Sequence, residues 1–311
     1  MLGAEAAGMP RRAFADPIDI SLRAVAVAAA TVGDEQHPGA RALVSGDVAP
    51  ASLLPAPVSV YEDWVRIEHW DCTPMSRFPM DRCTQPVDYE PIKRVVVVGD
   101  SHMQQLSGAL SAIATQQHWQ LTEIIRGACP FSAMSEAVPG EPDCMAWNEA
   151  ALIEIADLRP DAVVTLASRE VRVGLTEHTP PGFIQRWRDL ERLGIAVLAI
   201  RDNPRFDYSM PDCVQQHESV QSHEDPAVCG ASREELYPAA PPWTEIPDLP
   251  SNVTLLDIAD AVCDQTFCPA QIGNVLVYLD DNHLSASYSS SMVPLLQDRV
   301  VAAIEKDETV P

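Results

Sequence analysis

The sequence predicts an α/β protein, a three-layer α/β/α fold around a central parallel sheet of about five strands. Two observations predict it. Val95-Val96-Val97-Val98 is an unbroken apolar run without alternation, the pattern of a strand covered on both faces. Further apolar runs at Leu121 to Ile125, Ala162 to Leu166, Ile195 to Ile200 and Val253 to Leu256 are separated by stretches of helical character. That alternation makes parallel sheets with right-handed crossovers.

Taken in order, residues 1 to 70 read as a linker or N-terminal extension with little core of its own. They hold one short apolar segment, Ile18 to Val32, then a loose stretch with Pro50, Pro55 and Pro57. Glu5, Arg11, Arg12, Asp16 and Asp19 leave no apolar core for a signal peptide before Ala24 to Val32. No run reaches the ~18 apolar residues of a membrane-crossing helix. Export is therefore expected to be the work of an upstream portion of a longer membrane protein. Tyr61, Trp64 and Trp70 form an aromatic patch that either packs on the main domain or stacks on sugar rings.

Residues 71 to 311 read as one domain. Its first parallel strand breaks at Gly99, and Leu106, Leu110 and Ile113 then recur at helical spacing, predicting a helix over Gln104 to Ala114. Helices also fit Asn148 to Leu158 and Phe183 to Leu193, the latter closed by Gly194. Arg201 to Asn252 is too long for an ordinary helix-to-strand connection and reads as an insertion over the site. A last helix is expected from Ser285 to Ile304, with Pro294 kinking it or starting a new segment. The sequon Asn252-Val253-Thr254 opens a predicted strand and is read as a chance match.

The chain is 46% hydrophobic over 311 residues, enough to bury a sizeable core. Its 45 acidic against 21 basic residues give a net charge of −24, which argues against nucleic acid or anionic membrane surfaces as partners. A neutral substrate fits more easily. Eight cysteines fall in four sequential couples: Cys72 with Cys83, Cys129 with Cys144, Cys213 with Cys229, Cys263 with Cys268. Each couple brackets a loop between predicted elements, and closing such a loop contributes about 2 to 3 kcal/mol, so local disulfides in an oxidising compartment are expected. Buried thiols or a metal site are the alternatives; His217 and His223 lie near cysteines without a convincing ligand spacing, and no metal is expected.

The chemistry rests on two stretches. Gly99-Asp100-Ser101-His102 delivers a serine to the carboxyl edge of the sheet and the first turn of a helix, where unpaired backbone N–H groups favour an oxygen nucleophile and the serine's own N–H can stabilise an oxyanion. The alternative is that Ser101 merely caps the helix and Asp100 fills a turn. Tyr278 to Ser285 then places Asp280 three residues before His283, so that one turn brings carboxylate to imidazole and leaves the other ring nitrogen for Ser101.

Together these stretches resemble the SGNH (GDSL-like) hydrolase superfamily, whose first block is Gly-Asp-Ser after the first strand and whose last is Asp-x-x-His before the final helix. With Cys129-Pro130 they look more narrowly like the extracytoplasmic SGNH domain fused to membrane acyltransferase-3 proteins. The resemblance covers roughly residues 70 to 305. It implies an SGNH-hydrolase-like fold, a Ser101-His283-Asp280 triad, no cofactor, and a membrane acyltransferase-3 domain in the same full-length chain. It also implies an oxyanion hole completed by a glycine after the second strand and an asparagine after the third. Gly127 sits where the glycine is expected, or serves only as a turn residue. The usual Gly-x-Asn-Asp is replaced by Ser168-Arg169-Glu170-Val171, so Ser168, Arg169 or a backbone N–H must substitute for the asparagine. Three functions follow: transfer of an acyl group, foremost acetyl, from a donor to a cell-envelope carbohydrate; hydrolysis by a secreted carbohydrate esterase; or glycan binding by a module with a decayed site.

Overall fold

The structure, a computed structural model, describes residues 33–46, 48–134, 141–219 and 229–306. The apolar segment Ile18 to Val32, the charged residues from Glu5 to Asp19, and His223 lie outside the described residues.

A seven-stranded sheet forms the centre. Its strands are β1 (Asp71–Pro74), β2 (Asp81–Thr84), β3 (Lys93–Gly99), β4 (Trp119–Ile125), β5 (Ala162–Leu166), β6 (Ala196–Ile200) and, after the short β7 (Gly230–Ser232), β8 (Val253–Leu256). The spatial order is β1-β2-β4-β3-β5-β6-β8. The five strands from β4 to β8 in that order are parallel, as expected, and Val95 to Val98 are buried on both faces. β1 and β2 add an antiparallel hairpin that joins β4 through Cys83 opposite Glu123 and Thr84 opposite Thr122. Both are short, β1 exposed and β2 mostly half-buried, and neither carries a hydrophobic pattern that marks a strand.

From β3 the chain crosses to β4 on one side and then back past β3 to β5 on the other. The carboxyl end of β3 is thus a topological switch point, where diverging connections leave a crevice. Ser101 follows that end directly.

The helix after β3 comes in two pieces, α1 (Ser101–Gln104) and α2 (Ser107–Gln116). Between them the turn tightens, Leu106 N–H bonding Met103 O, and the Gln105 side chain points inward to bond His102 O and Asn203 Oδ1. α3 (Pro142–Leu158) starts earlier than periodicity alone predicts, with Pro142 in the first turn where a missing N–H costs nothing. α4 (Pro181–Arg192) ends before Gly194, whose φ of +71° is the left-handed conformation expected of a closing glycine. The last helix is divided too: α6 (Ala286–Ser291), capped by Ser285 Oγ, and α7 (Val293–Glu305), with Pro294 in its first turn. Between α4 and α6 in sequence, α5 (Met210–Ser219) belongs to the stretch read as an insertion.

That stretch abuts the Asp280 loop, with Phe206 N–H bonding Asp281 O and Met210 N–H bonding Asp280 O. β7 pairs antiparallel with β9 (Phe267–Pro269). From residues 33–70, Ala40, Val60 and Trp70 are buried with the main core. Disulfides join Cys72 to Cys83, Cys129 to Cys144, Cys213 to Cys229, and Cys263 to Cys268. Among the described residues no helix is long and apolar enough to cross a membrane.

Candidate active site

At the end of β3, Gly99 takes φ +152°, and a Cβ there would lie 2.8 Å from the Met103 side chain. Only glycine makes this turn without a shift. Asp100 is the residue that caps α1: its Oδ1 accepts the N–H of His102 at 3.0 Å. Ser101 is the first residue of the helix, and its hydroxyl is left for other work. The capping role that the sequence offered to Ser101 falls to its neighbour.

The partner loop is a tight turn between Tyr278 and Leu284, which form an antiparallel bridge. Asp280 organises it. Its Oδ1 accepts the backbone N–H groups of Asn282 at 2.8 Å and His283 at 2.7 Å, and its Oδ2 lies 2.7 Å from His283 Nδ1. The other ring nitrogen, Nε2, is 2.8 Å from Ser101 Oγ. With Nδ1–H donated to Asp280, Nε2 is the acceptor and the serine hydroxyl donates to it. Burial pushes the Asp280 carboxyl up, but the hydrogen bonds from the His283 ring and the two backbone N–H groups outweigh it, and the group is held below the usual carboxylate range. An ionised, oriented carboxylate, an imidazole in one tautomer and a serine hydroxyl in line can carry out acyl transfer.

The residues expected around the oxyanion divide. Arg126 N–H bonds Gly99 O at 3.0 Å, which brings the turn containing Gly127 beside the end of β3. Gly127 is exposed there, with open space around it. Ser168 is fully buried, and its hydroxyl donates to Glu177 Oε1 at 2.6 Å and accepts from Asp202 N–H at 3.2 Å. Arg169 lines a cleft of about 130 Å³ together with Arg172, Arg205 and Asn282, the residue before His283. Cys213, His217 and Cys229 come together, but the two sulfurs are bonded to each other and offer no thiolate.

Apart from Trp64, which belongs to the aromatic patch, several residues around the site carried no individual signal in the sequence. Asp202 and Asn203, just after β6, reach the ring of His102, and Asn282 reaches it from the Asp280 loop. Trp64 stands edge-on to His283 with ring centroids 5.3 Å apart. Asp63 accepts the N–H groups of Ala286 and Ser287 at the start of α6. The one available signal was position: polar residues immediately after a buried parallel strand lie at the carboxyl edge, where sites form.

This fold and loop arrangement are those of an SGNH-like α/β/α protein. Residues 71–298 match the family described as the SGNH domain (fused to AT3 domains), and the chain belongs to that family. Among solved structures it is similar to the periplasmic domain of the lipopolysaccharide acetyltransferase of Salmonella ser. Paratyphi A, at a TM-score of 0.53 and 14% identity, covering 67% of this chain and 84% of that one. At that identity the likeness shows a shared fold. A comparison with curated proteins finds no match.

Proposed function

We propose that the protein is the extracytoplasmic O-acyltransferase domain of a membrane acyltransferase-3 protein and passes an acyl group, foremost acetyl, to a carbohydrate hydroxyl of the cell envelope. The observation that carries this reading is the 2.8 Å approach of His283 Nε2 to Ser101 Oγ in a chain of this family. The family's association with AT3 domains supports a membrane partner in the same full-length chain. The neighbouring structure, named as an acetyltransferase acting on lipopolysaccharide and as a periplasmic domain, supports acetyl and glycan, and together with the four disulfides it supports the compartment.

In the proposed reaction Ser101 Oγ attacks the acyl carbonyl while His283 Nε2 takes its proton, and the developing oxyanion faces the N–H of Ser101 at the start of α1. The leaving group departs with that proton, leaving an ester on Ser101. An acceptor hydroxyl then attacks the ester, giving its proton to His283, and the serine is regenerated with the acyl group on the sugar. Hydrolysis differs only in the second nucleophile. The partial exposure of the His283 and Asp280 side chains, 22% and 30%, favours that second reading, since water reaches the site in the absence of an acceptor. The preserved hydrogen-bond chain weighs against a decayed glycan-binding module.

The test supplies an acetyl ester together with envelope-type oligosaccharides and follows acetylated sugar by mass spectrometry. Transfer yields acetylated sugar and an acceptor-dependent rate of donor consumption. If a broad acceptor panel gives free acetate alone at an unchanged rate, the esterase reading replaces this one.

A further inference from the structure

The acyl-transfer chemistry leaves a buried titratable group next to the nucleophile unused. His102, the residue after Ser101, is 1% exposed. Its Nδ1 lies 2.7 Å from Asp202 Oδ1 and 3.1 Å from Asn203 Oδ1, and its Nε2 lies 2.9 Å from Asn282 Oδ1. The far ends of the two amides fix which of their atoms face the ring. Asn282 Nδ2 donates to Asp281 Oδ1 at 2.8 Å, and turning that amide over would press its oxygen against the carboxylate. Asn203 Nδ2 donates to Asn282 O at 2.8 Å, while its Oδ1 also accepts from Gln105 Nε2 at 2.6 Å. Both ring nitrogens therefore face acceptors alone, and a ring satisfied on both sides carries both protons.

We propose that His102 is a positioning residue: a protonated imidazolium that ties Asp202 on one side to Asn282 on the other and so holds the Asp280–His283 turn against Ser101. The charged groups around it suit that role. Burial opposes the charge and the Arg205 guanidinium also disfavours it, but Asp202, reinforced by Asp100, outweighs both and raises the group above the ordinary histidine value. Asp202 is ionised, because its Oδ2 is held at 3.0 Å by Arg205; its carboxyl lies well below the usual range although burial acts the other way. The His283 ring is the remaining neighbour, with centroids 5.1 Å apart. The link to the turn is short: the N–H of Asn282, which His102 grips by its side chain, is itself bonded to Asp280 Oδ1. A second tie runs alongside, from Leu284 N–H to Gln105 Oε1 at 2.6 Å.

The consequence for catalysis rests on the Ser101–His283 reading; the protonation state does not. The first experiment is therefore spectroscopic: ring 15N–1H correlations of the whole chain at about pH 8, above the ordinary histidine value. One histidine should show both ring nitrogens protonated, should vanish in His102→Gln, and should persist in Ser101→Ala. A His102 ring carrying one proton at that pH overturns the proposal whether or not the protein turns over esters.

The second experiment is kinetic, on a small acetyl ester. His102→Gln should lower kcat by about 10- to 100-fold with KM little changed, the signature of a misplaced rather than unbound reaction. Asn282→Asp should move the alkaline limit of activity upward by strengthening the grip on the cation, and Asn282→Leu should move it downward. Two folded variants with the wild-type alkaline limit would refute the clamp, since a merely structural contact leaves that limit in place.

Discussion

At the scale of single residues, Asp100 and Ser101 divide the labour at the end of β3. Asp100 caps α1, so the Ser101 hydroxyl is available to His283. Ser101→Ala and His283→Ala should each remove nearly all turnover of a small acetyl ester, and Asp280→Asn should lower it sharply by releasing the imidazole tautomer. Combining them should add little, because they act as one unit; additive losses in kcat would count against a triad. These three residues were legible in the sequence because each lies in a contiguous motif. The environments of Ser168 and His102 were not, since their partners Glu177, Asp202 and Asn282 are brought in by packing of other elements. Glu123 shows the same limit. It is 2% exposed on β4, and burial pushes its carboxyl up to about 7 from 4.5, opposed by the Ser107 hydroxyl. As pH rises above 4.5 the unfolded chain gives up this proton while the folded one keeps it to about 7, so this group's effect is to lower stability across that window and no further above it. Glu123→Gln should therefore stabilise the protein at about pH 8 by up to about 3 kcal/mol and change little at about pH 4. Urea unfolding at the two pH values measures the difference; equal effects at both would contradict it.

At the scale of elements, the five parallel strands were legible because continuous apolar runs have few other uses, and the helices because apolar residues recur at helical spacing and Gly194 closes one of them; the first turns at Pro142 and Pro181 were not read. The β1–β2 hairpin was not, because its residues are exposed or half-buried without an apolar pattern and its place in the sheet is set by register with β4. The cysteine couple spanning it did show in the sequence: Cys72 and Cys83 are directly opposed in the hairpin. The division of the first helix at Gln105 was hidden too, since it follows from a side chain that leaves its helix to bond Asn203 and Leu284. Replacing Cys72 and Cys83 together by alanine should cost about 2 to 3 kcal/mol, the chain-entropy value for a loop of 11 residues. Denaturant midpoints of the oxidised protein and the double variant give the number. An unchanged midpoint would mean that the unfolded chain is not constrained by this bridge.

At the scale of the whole molecule, the site extends beyond the segment matched to the family. Residues 71–298 supply Ser101, Asp280 and His283, but Trp64 borders the His283 ring and Asp63 secures the start of α6. The sequence showed an aromatic patch there with two possible uses; the structure buries Trp70 and leaves Trp64 beside the imidazole. The net charge of −24 describes the surface as a whole and is no guide to the cleft by Asn282, which three arginines line. What unites the scales is one claim, that the switch point at the end of β3 presents a serine able to carry an acyl group. The most direct measurement is mass spectrometry of the protein itself, quenched in acid shortly after mixing with an acetyl ester and no acceptor. One added acetyl group is expected on the peptide containing Ser101, and none in Ser101→Ala. An adduct that survives in Ser101→Ala, or turnover by the wild type with no adduct on that peptide at any time point, would contradict it.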